Sequence, residues 1–129
     1  YPNLKKGKNA HVINIGSIAG KEVYPGGNVY CASKHAVDAL TKAMRQEFLE
    51  DGIRVTQIAP GAAETEFSLV RFKGDEEKAK AVYKGFTPLS GADIAQCVDF
   101  VLHTPAHVCI NDMVVMPSQQ ANSTLLKRS

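Results

Sequence analysis

The chain has 129 residues, 44% of them hydrophobic, with 15 lysines and arginines against 13 acids and a net charge of +2, which suits a single globular unit with one core. The charge is too mild and too interspersed to call for nucleic acid, and no apolar run approaches the roughly 20 residues of a membrane span, so neither is an expected partner. Cys31, Cys97 and Cys109 are odd in number and lack any Cys-x-x-Cys spacing, so reduced thiols in an intracellular, cytoplasmic setting are the simplest expectation.

Residues 1–8 read as a polar connector. "HVINI" (11–15) is a short β-branched run of the kind that forms a buried parallel strand. A loop follows with Gly16, Gly20, Pro25, Gly26 and Gly27, and Asn28 is the expected N-cap of a helix running to Glu50. Ala32, Ala36, Ala39 and Ala43 give that helix a narrow face of small side chains, able to pack on the sheet or on a second subunit. Asp51-Gly52 stops it. "IRVTQIA" (53–59) is the next strand, closed by Pro60-Gly61, and strand, crossover helix and strand together make a βαβ unit with a parallel sheet. Residues 62–74 lack periodicity and read as a long loop. Asp75–Lys84 is a short charged helix, and Ser90-Gly-Ala-Asp93 is a capping box opening a helix through Leu102, ended by Thr104-Pro105. "MVVM" (113–116) is a last strand before a polar tail.

In an open parallel sheet, ligands gather at the carboxyl ends of the strands. Ser17 follows the first strand, Tyr30 and Lys34 open the next helix, and Pro60-Gly61 follows the second strand. On a helix, positions i and i+4 share a face, so Tyr30 and Lys34 reach the same crevice. A phenol titrates near pH 10 and must fall by about 3 pH units, roughly 4 kcal/mol, to exchange protons near neutrality. A cation about 4 Å away at an effective dielectric near 20 supplies about that much. Tyr1 and Lys5 repeat the same spacing, but Pro2 lies between them in a charged terminus, where neither a regular helix nor burial is expected.

"INIGSIAG" followed by "YCASK", and then by "IAPGAAETEF" after a strand, resembles the short-chain dehydrogenase/reductase family. "TEFSLVRFKGDEEKAKAVY" and "MVVMPSQQ" resemble its NADP-dependent 3-hydroxy acid (serine, allo-threonine) dehydrogenase branch. The resemblance implies an α/β fold, the C-terminal half of a doubly wound Rossmann-type parallel sheet. It implies Tyr30 as acid/base, Lys34 as the group that lowers its pKa and holds the nicotinamide ribose, and Ser17 as the group orienting the substrate oxygen. Pro60, Gly61, Ala62, Ala63, Glu64 and Thr65 would cradle the nicotinamide end of NADP, with NAD left open, and Arg71 is a candidate for a substrate carboxylate. A small alcohol or carbonyl substrate and a homotetramer or dimer using helix 28–50 and the C-terminal strand complete what is implied.

No Gly-x-Gly-x-x-Gly occurs, and the residues that choose NAD or NADP, with the asparagine of the proton relay, are expected upstream of Tyr1. Residues 1–129 are thus expected to be a single partial domain lacking its cofactor-binding N-terminal half, active only in the longer parent. The competing readings are a non-catalytic interaction domain pairing through helix 28–50, or an inactive truncated fragment. Taken alone, Ser17 is a loop serine serving nearby amides, Pro60-Gly61 a turn, Cys31 packing, and the 75–84 charges a solvated face. His103 and His107 are separated by Pro105 and have no third partner, so no metal site is expected; His11 and His35 have no evident partners.

Overall fold

The computed structural model describes all of residues 1–129. Three parallel strands, β1 (His11–Ile15), β2 (Arg54–Pro60) and β3 (Asp112–Val115), lie in the order β1-β2-β3. Ile15 pairs with Ile58, and Pro60 with Val115. The central strand carries the core. Val55, Ile58 and Ala59 are fully buried on β2, where a Val or Ile side chain contributes about 1.5–3 kcal/mol on leaving water. β2 begins and ends one residue later than the sequence suggests, and the helix before it ends three residues earlier.

That helix, α1, spans Asn28–Glu47. Asn28 is its first residue rather than its cap: Gly27 is the N-cap, and its carbonyl accepts the Cys31 N–H at 2.6 Å. The Tyr24 ring folds over Gly27, leaving no space there for a Cβ, so the turn closes one residue earlier than the asparagine suggests. Its end also comes early, at Phe48, because residues 48–52 form successive turns and Gly52 takes a φ of +64°. The N-terminal segment occupies the ground beyond. It is no free connector but a 3-10 turn at Leu4–Lys6, with Tyr1 stacked on Phe48 at 4.9 Å and hydrogen-bonded to Asp51.

The sheet-facing side of α1 is mostly polar. Asn14 donates to Thr41 at 2.9 Å, Thr41 meets the buried Gln57 at 3.3 Å, and Gln57 donates to Asp38 at 3.0 Å. Lys21 bridges Asp38 to Asp112, and Arg45 reaches the carbonyls of Val55 and Asn111. Ala32, Ala36 and Ala39 face away, exposed with Val29 and Leu40.

The loop expected over 62–74 contains a helix, α2 (Glu66–Arg71), too short for its periodicity to register. Thr65 caps it by accepting the Phe67 N–H at 3.2 Å, and Glu66 and Arg71 suit its two ends. α3 (Glu76–Val82) is capped by Asp75. α4 (Gly91–Leu102) opens on the anticipated capping box of Ser90 and Asp93 and buries Val101 completely. The last strand is shifted one residue toward the N-terminus, to Asp112–Val115.

Candidate active site

β1 and β2 end side by side, and the turns that leave them form one rim of a crevice of about 530 Å³. Ser17, Tyr30, Lys34, Pro60, Gly61, Ala62, Ala63 and Thr65 all line it, so residues scattered over 49 positions of sequence meet in one place. Glu64 does not. The bridge between Ala63 and Leu89 turns it outward, its N–H donates to Leu89 O at 2.7 Å, and its exposed side chain lies near Lys80 and Lys84.

Ser17 is buried, 8% exposed, and its Oγ accepts the Ala19 N–H at 3.1 Å. That bond occupies a lone pair and leaves the hydroxyl proton to donate. The bland role of a turn serine and the chemical one are therefore compatible. The 3-10 turn of Ile18–Gly20 then presses onto α1: a Cβ on Gly20 would stand 2.6 Å from the Lys34 carbonyl oxygen. This contact fixes Ser17 against the helical turn that carries Tyr30 and Lys34.

Tyr30 is half-buried, and its ring meets Phe67 of α2 at 5.1 Å. The Lys34 ammonium lies 5.9 Å from the ring centroid and donates to Ile15 O at 3.3 Å. Cys31 is buried beneath α1 at 2% exposure, on a different face from the phenol. Arg71 crosses the mouth of the crevice without an acidic partner. Its guanidinium reaches the Tyr24 hydroxyl at 3.3 Å and lies over the rings of Tyr24 and Phe72.

The 60–65 loop has a divided set of amides. Gly61 donates to Val115 O at 2.7 Å, Ala62 to Gln120 Oε1 at 2.8 Å, and Glu64 to Leu89 O. The N–H groups of Ala63 and Thr65 have no acceptor within the chain. Two open backbone donors beside an apolar-walled crevice can serve the amide or hydroxyls of a bound molecule.

Sequence reasoning missed Tyr24, Phe67, Tyr83, Gln120 and Arg128, which also line the crevice. Tyr83 donates to Ala63 O at 2.9 Å and meets Ser68 at 2.6 Å, tying α2 and α3 to the loop. None of these belongs to a spacing pattern; only the glycines beside Tyr24 hinted at a turn there. His103 bonds back to Asp99 of its own helix, His35 to the Cys31 carbonyl, and His11 to Thr56. No group of three metal-ligating side chains occurs, and no helix is long and apolar enough to cross a membrane.

The family model for short chain dehydrogenases matches residues 1–76. An uncharacterised oxidoreductase of Mycobacterium tuberculosis is 47% identical over 123 residues, covering 95% of this chain and 49% of the relative. An NADP-dependent 3-hydroxy acid dehydrogenase of Schizosaccharomyces pombe is 45% identical, with 91% and 45% covered. Among solved structures, the closed form of serine dehydrogenase complexed with NADP+ superposes with a TM-score of 0.85 at 42% identity, over 92% of this chain and 48% of that one. The chain spans about half the length of the curated relatives it matches.

Proposed function

Because this chain belongs to the short chain dehydrogenase family, we propose that it forms the catalytic, C-terminal half of an oxidoreductase. That enzyme moves a hydride between NADP and the secondary alcohol of a 3-hydroxy acid or similar small substrate. The observation that carries the reading is the convergence of Ser17, Tyr30 and Lys34 with the 60–65 loop on one crevice. The names of the relatives favour NADP over NAD and an oxidoreductase over an interaction domain.

The residues present fit a nicotinamide. The Ala63 and Thr65 N–H groups offer two unpaired donors to its amide end, and the Thr65 hydroxyl, whose oxygen accepts from Phe67, retains a proton to give. Lys34, which lines the same crevice, would meet the ribose hydroxyls. When bound, the nicotinamide supplies the two-electron acceptor for oxidation, or the donor for reduction. Tyr30 takes the proton of the substrate hydroxyl as the carbinol hydrogen departs, and returns it in the opposite direction. Lys34 sets a positive charge beside the group that handles this proton. Ser17 donates a hydrogen bond to the substrate oxygen and so fixes it before Tyr30. Arg71, free of any carboxylate in the fold, receives the acid group of the substrate at the crevice mouth.

The activity is assigned to a polypeptide that also provides a half binding the cofactor's phosphates. β1 has a neighbour on one side only, and Ile15 at its end is 46% exposed, as fits a sheet that continues past this edge. The exposed α1 face of Val29, Ala32, Ala36 and Leu40 suits pairing with a second copy in a dimer or tetramer, which sedimentation at micromolar concentration tests; a monomer would remove that assignment.

The test of the function is to express the longest reading frame containing these residues and follow nicotinamide absorbance with serine, allo-threonine and 3-hydroxyisobutyrate. Turnover is expected, and Tyr30→Phe should reduce it by at least about a hundredfold with circular dichroism unchanged. A near-normal rate in that variant would refute the acid/base role. Absence of both turnover and cofactor binding in the parent would favour an interaction domain.

A further inference from the structure

The polar tail after β3 ends up inside the site. Pro117 and Gln120 close a turn through a 2.9 Å backbone bond, and the Gln120 side chain is buried, 8% exposed, beneath the 60–65 loop. Both ends of its amide are used. Oε1 accepts the Ala62 N–H at 2.8 Å, while Nε2 donates to Asn122 O at 3.0 Å.

Gly61 records how closely the two segments approach. A Cβ there would stand 2.7 Å from Met116 Sδ and closer still to Gln120 Oε1. The glycine thus permits the tail to dock under the loop, a demand separate from any ligand above it. Gln120 holds the Ala62 N–H from below, while the next N–H, that of Ala63 on the crevice wall, has no acceptor in the chain.

We propose that Gln120 is a positioning residue for the nicotinamide end of the cofactor: it clamps the Ala62 amide so that the Ala63 and Thr65 amides are presented to that ring. This inference rests on the nicotinamide site proposed above. The structural demand is for a hydrogen-bond acceptor at the reach of a glutamine. Leucine fills the space without an acceptor, and asparagine holds its amide one methylene short.

The experiment titrates the full-length enzyme by cofactor fluorescence with NADPH and, in competition, with 2′-phosphoadenosine 5′-diphosphoribose, which keeps the adenosine half and lacks the nicotinamide. Gln120→Leu and Gln120→Asn should weaken NADPH by about tenfold, as expected for an unmade hydrogen bond at a buried amide. The truncated nucleotide should bind all three proteins alike. Equal weakening of both nucleotides would mean a general structural role and would overturn the proposal, as would unchanged NADPH affinity in Gln120→Asn. If Gln120→Leu fails to fold, Gln120→Asn decides alone. A wild-type protein that binds neither nucleotide would instead remove the proposed function itself, so the two failures are distinguishable.

Discussion

Acid titration of Asp38 offers a quantitative check on how helix α1 is held against the sheet. Its carboxylate, one helical turn beyond Lys34, takes hydrogen bonds from Lys21, from Lys42 at 2.6 Å and from Gln57 at 3.0 Å. Burial pushes the group up, but these three donors together more than offset it and hold it at about 2, against an ordinary 3.8. That difference is worth about 2.4 kcal/mol at most. Lys42 is largely exposed, with 58% of its side chain accessible, so screening brings the contribution nearer to about 1 kcal/mol. A pKa lower in the folded state than in the unfolded one stabilises fully above about pH 4 and loses that stabilisation as the pH falls toward about 2. Urea unfolding of wild type and Asp38→Asn should therefore differ by about 1 kcal/mol at neutral pH, and the difference should close across that window. His11 is lowered by burial and then by Arg54. It weakens both proteins below about pH 6.5 and cancels in the comparison. A difference that persists unchanged to the lowest pH, or none at neutrality, would refute the idea that the carboxylate's charge fastens Lys21 and its loop to α1.

Arg71→Met should raise KM for a 3-hydroxy acid by about tenfold or more, as for a lost charge-assisted hydrogen bond, and leave a neutral secondary alcohol of similar size unaffected. Equal loss on both substrates would mean that Arg71 shapes the mouth without reading charge. Gly61→Ala should destabilise the protein by about 1–3 kcal/mol through overpacking against Met116 and Gln120, seen as a lower urea midpoint; an unchanged midpoint would show that the tail yields. Ser90→Ala should lose about 1 kcal/mol with its cap, measured in the same way, and no loss would mean that α4 is held by Val101 and its neighbours alone.

The strands were legible because β-branched runs bounded by glycine and proline have few other uses, and α4 because Ser90 and Asp93 form a reciprocal cap whose chemistry is local. α2 was not legible, because six residues give less than two turns. The limits of α1 were misplaced for a tertiary reason. Tyr24 packing on Gly27 sets its start, and the Phe48 to Gly52 turns beneath Tyr1 set its end. The alanine face is visible in the sequence but its neighbour is not, since the polar side that meets the sheet looks from sequence like a solvated one. Asp38, Thr41 and Arg45 are placed there only because Gln57, Lys21 and the carbonyls of Val55 and Asn111 complete their hydrogen bonds. Gln120 was invisible for the same reason, as its partner lies 58 residues away.

The two Tyr-x-x-x-Lys pairs share a spacing and differ in everything around it. Lys5 lies 5.3 Å from the Tyr1 ring and Lys34 lies 5.9 Å from the Tyr30 ring, so the cation-to-ring relation is nearly the same. Their surroundings are opposite. Tyr1 is 52% exposed and its hydroxyl is given to Asp51, a carboxylate that raises the phenol's pKa and also binds Lys5 at 2.9 Å. The positive charge is thereby spent on an acid, and the phenol becomes a fixed donor. Tyr30 has no carboxylate partner; its neighbours are Phe67, the Lys34 ammonium and a crevice that Ser17 shares. Lys34 in turn leans on a neutral carbonyl, Ile15 O, which orients the ammonium without cancelling its charge. The proposed proton exchange needs a nearby cation not already claimed by an acid, and of the two pairs that share the motif only Tyr30 and Lys34 meet that condition.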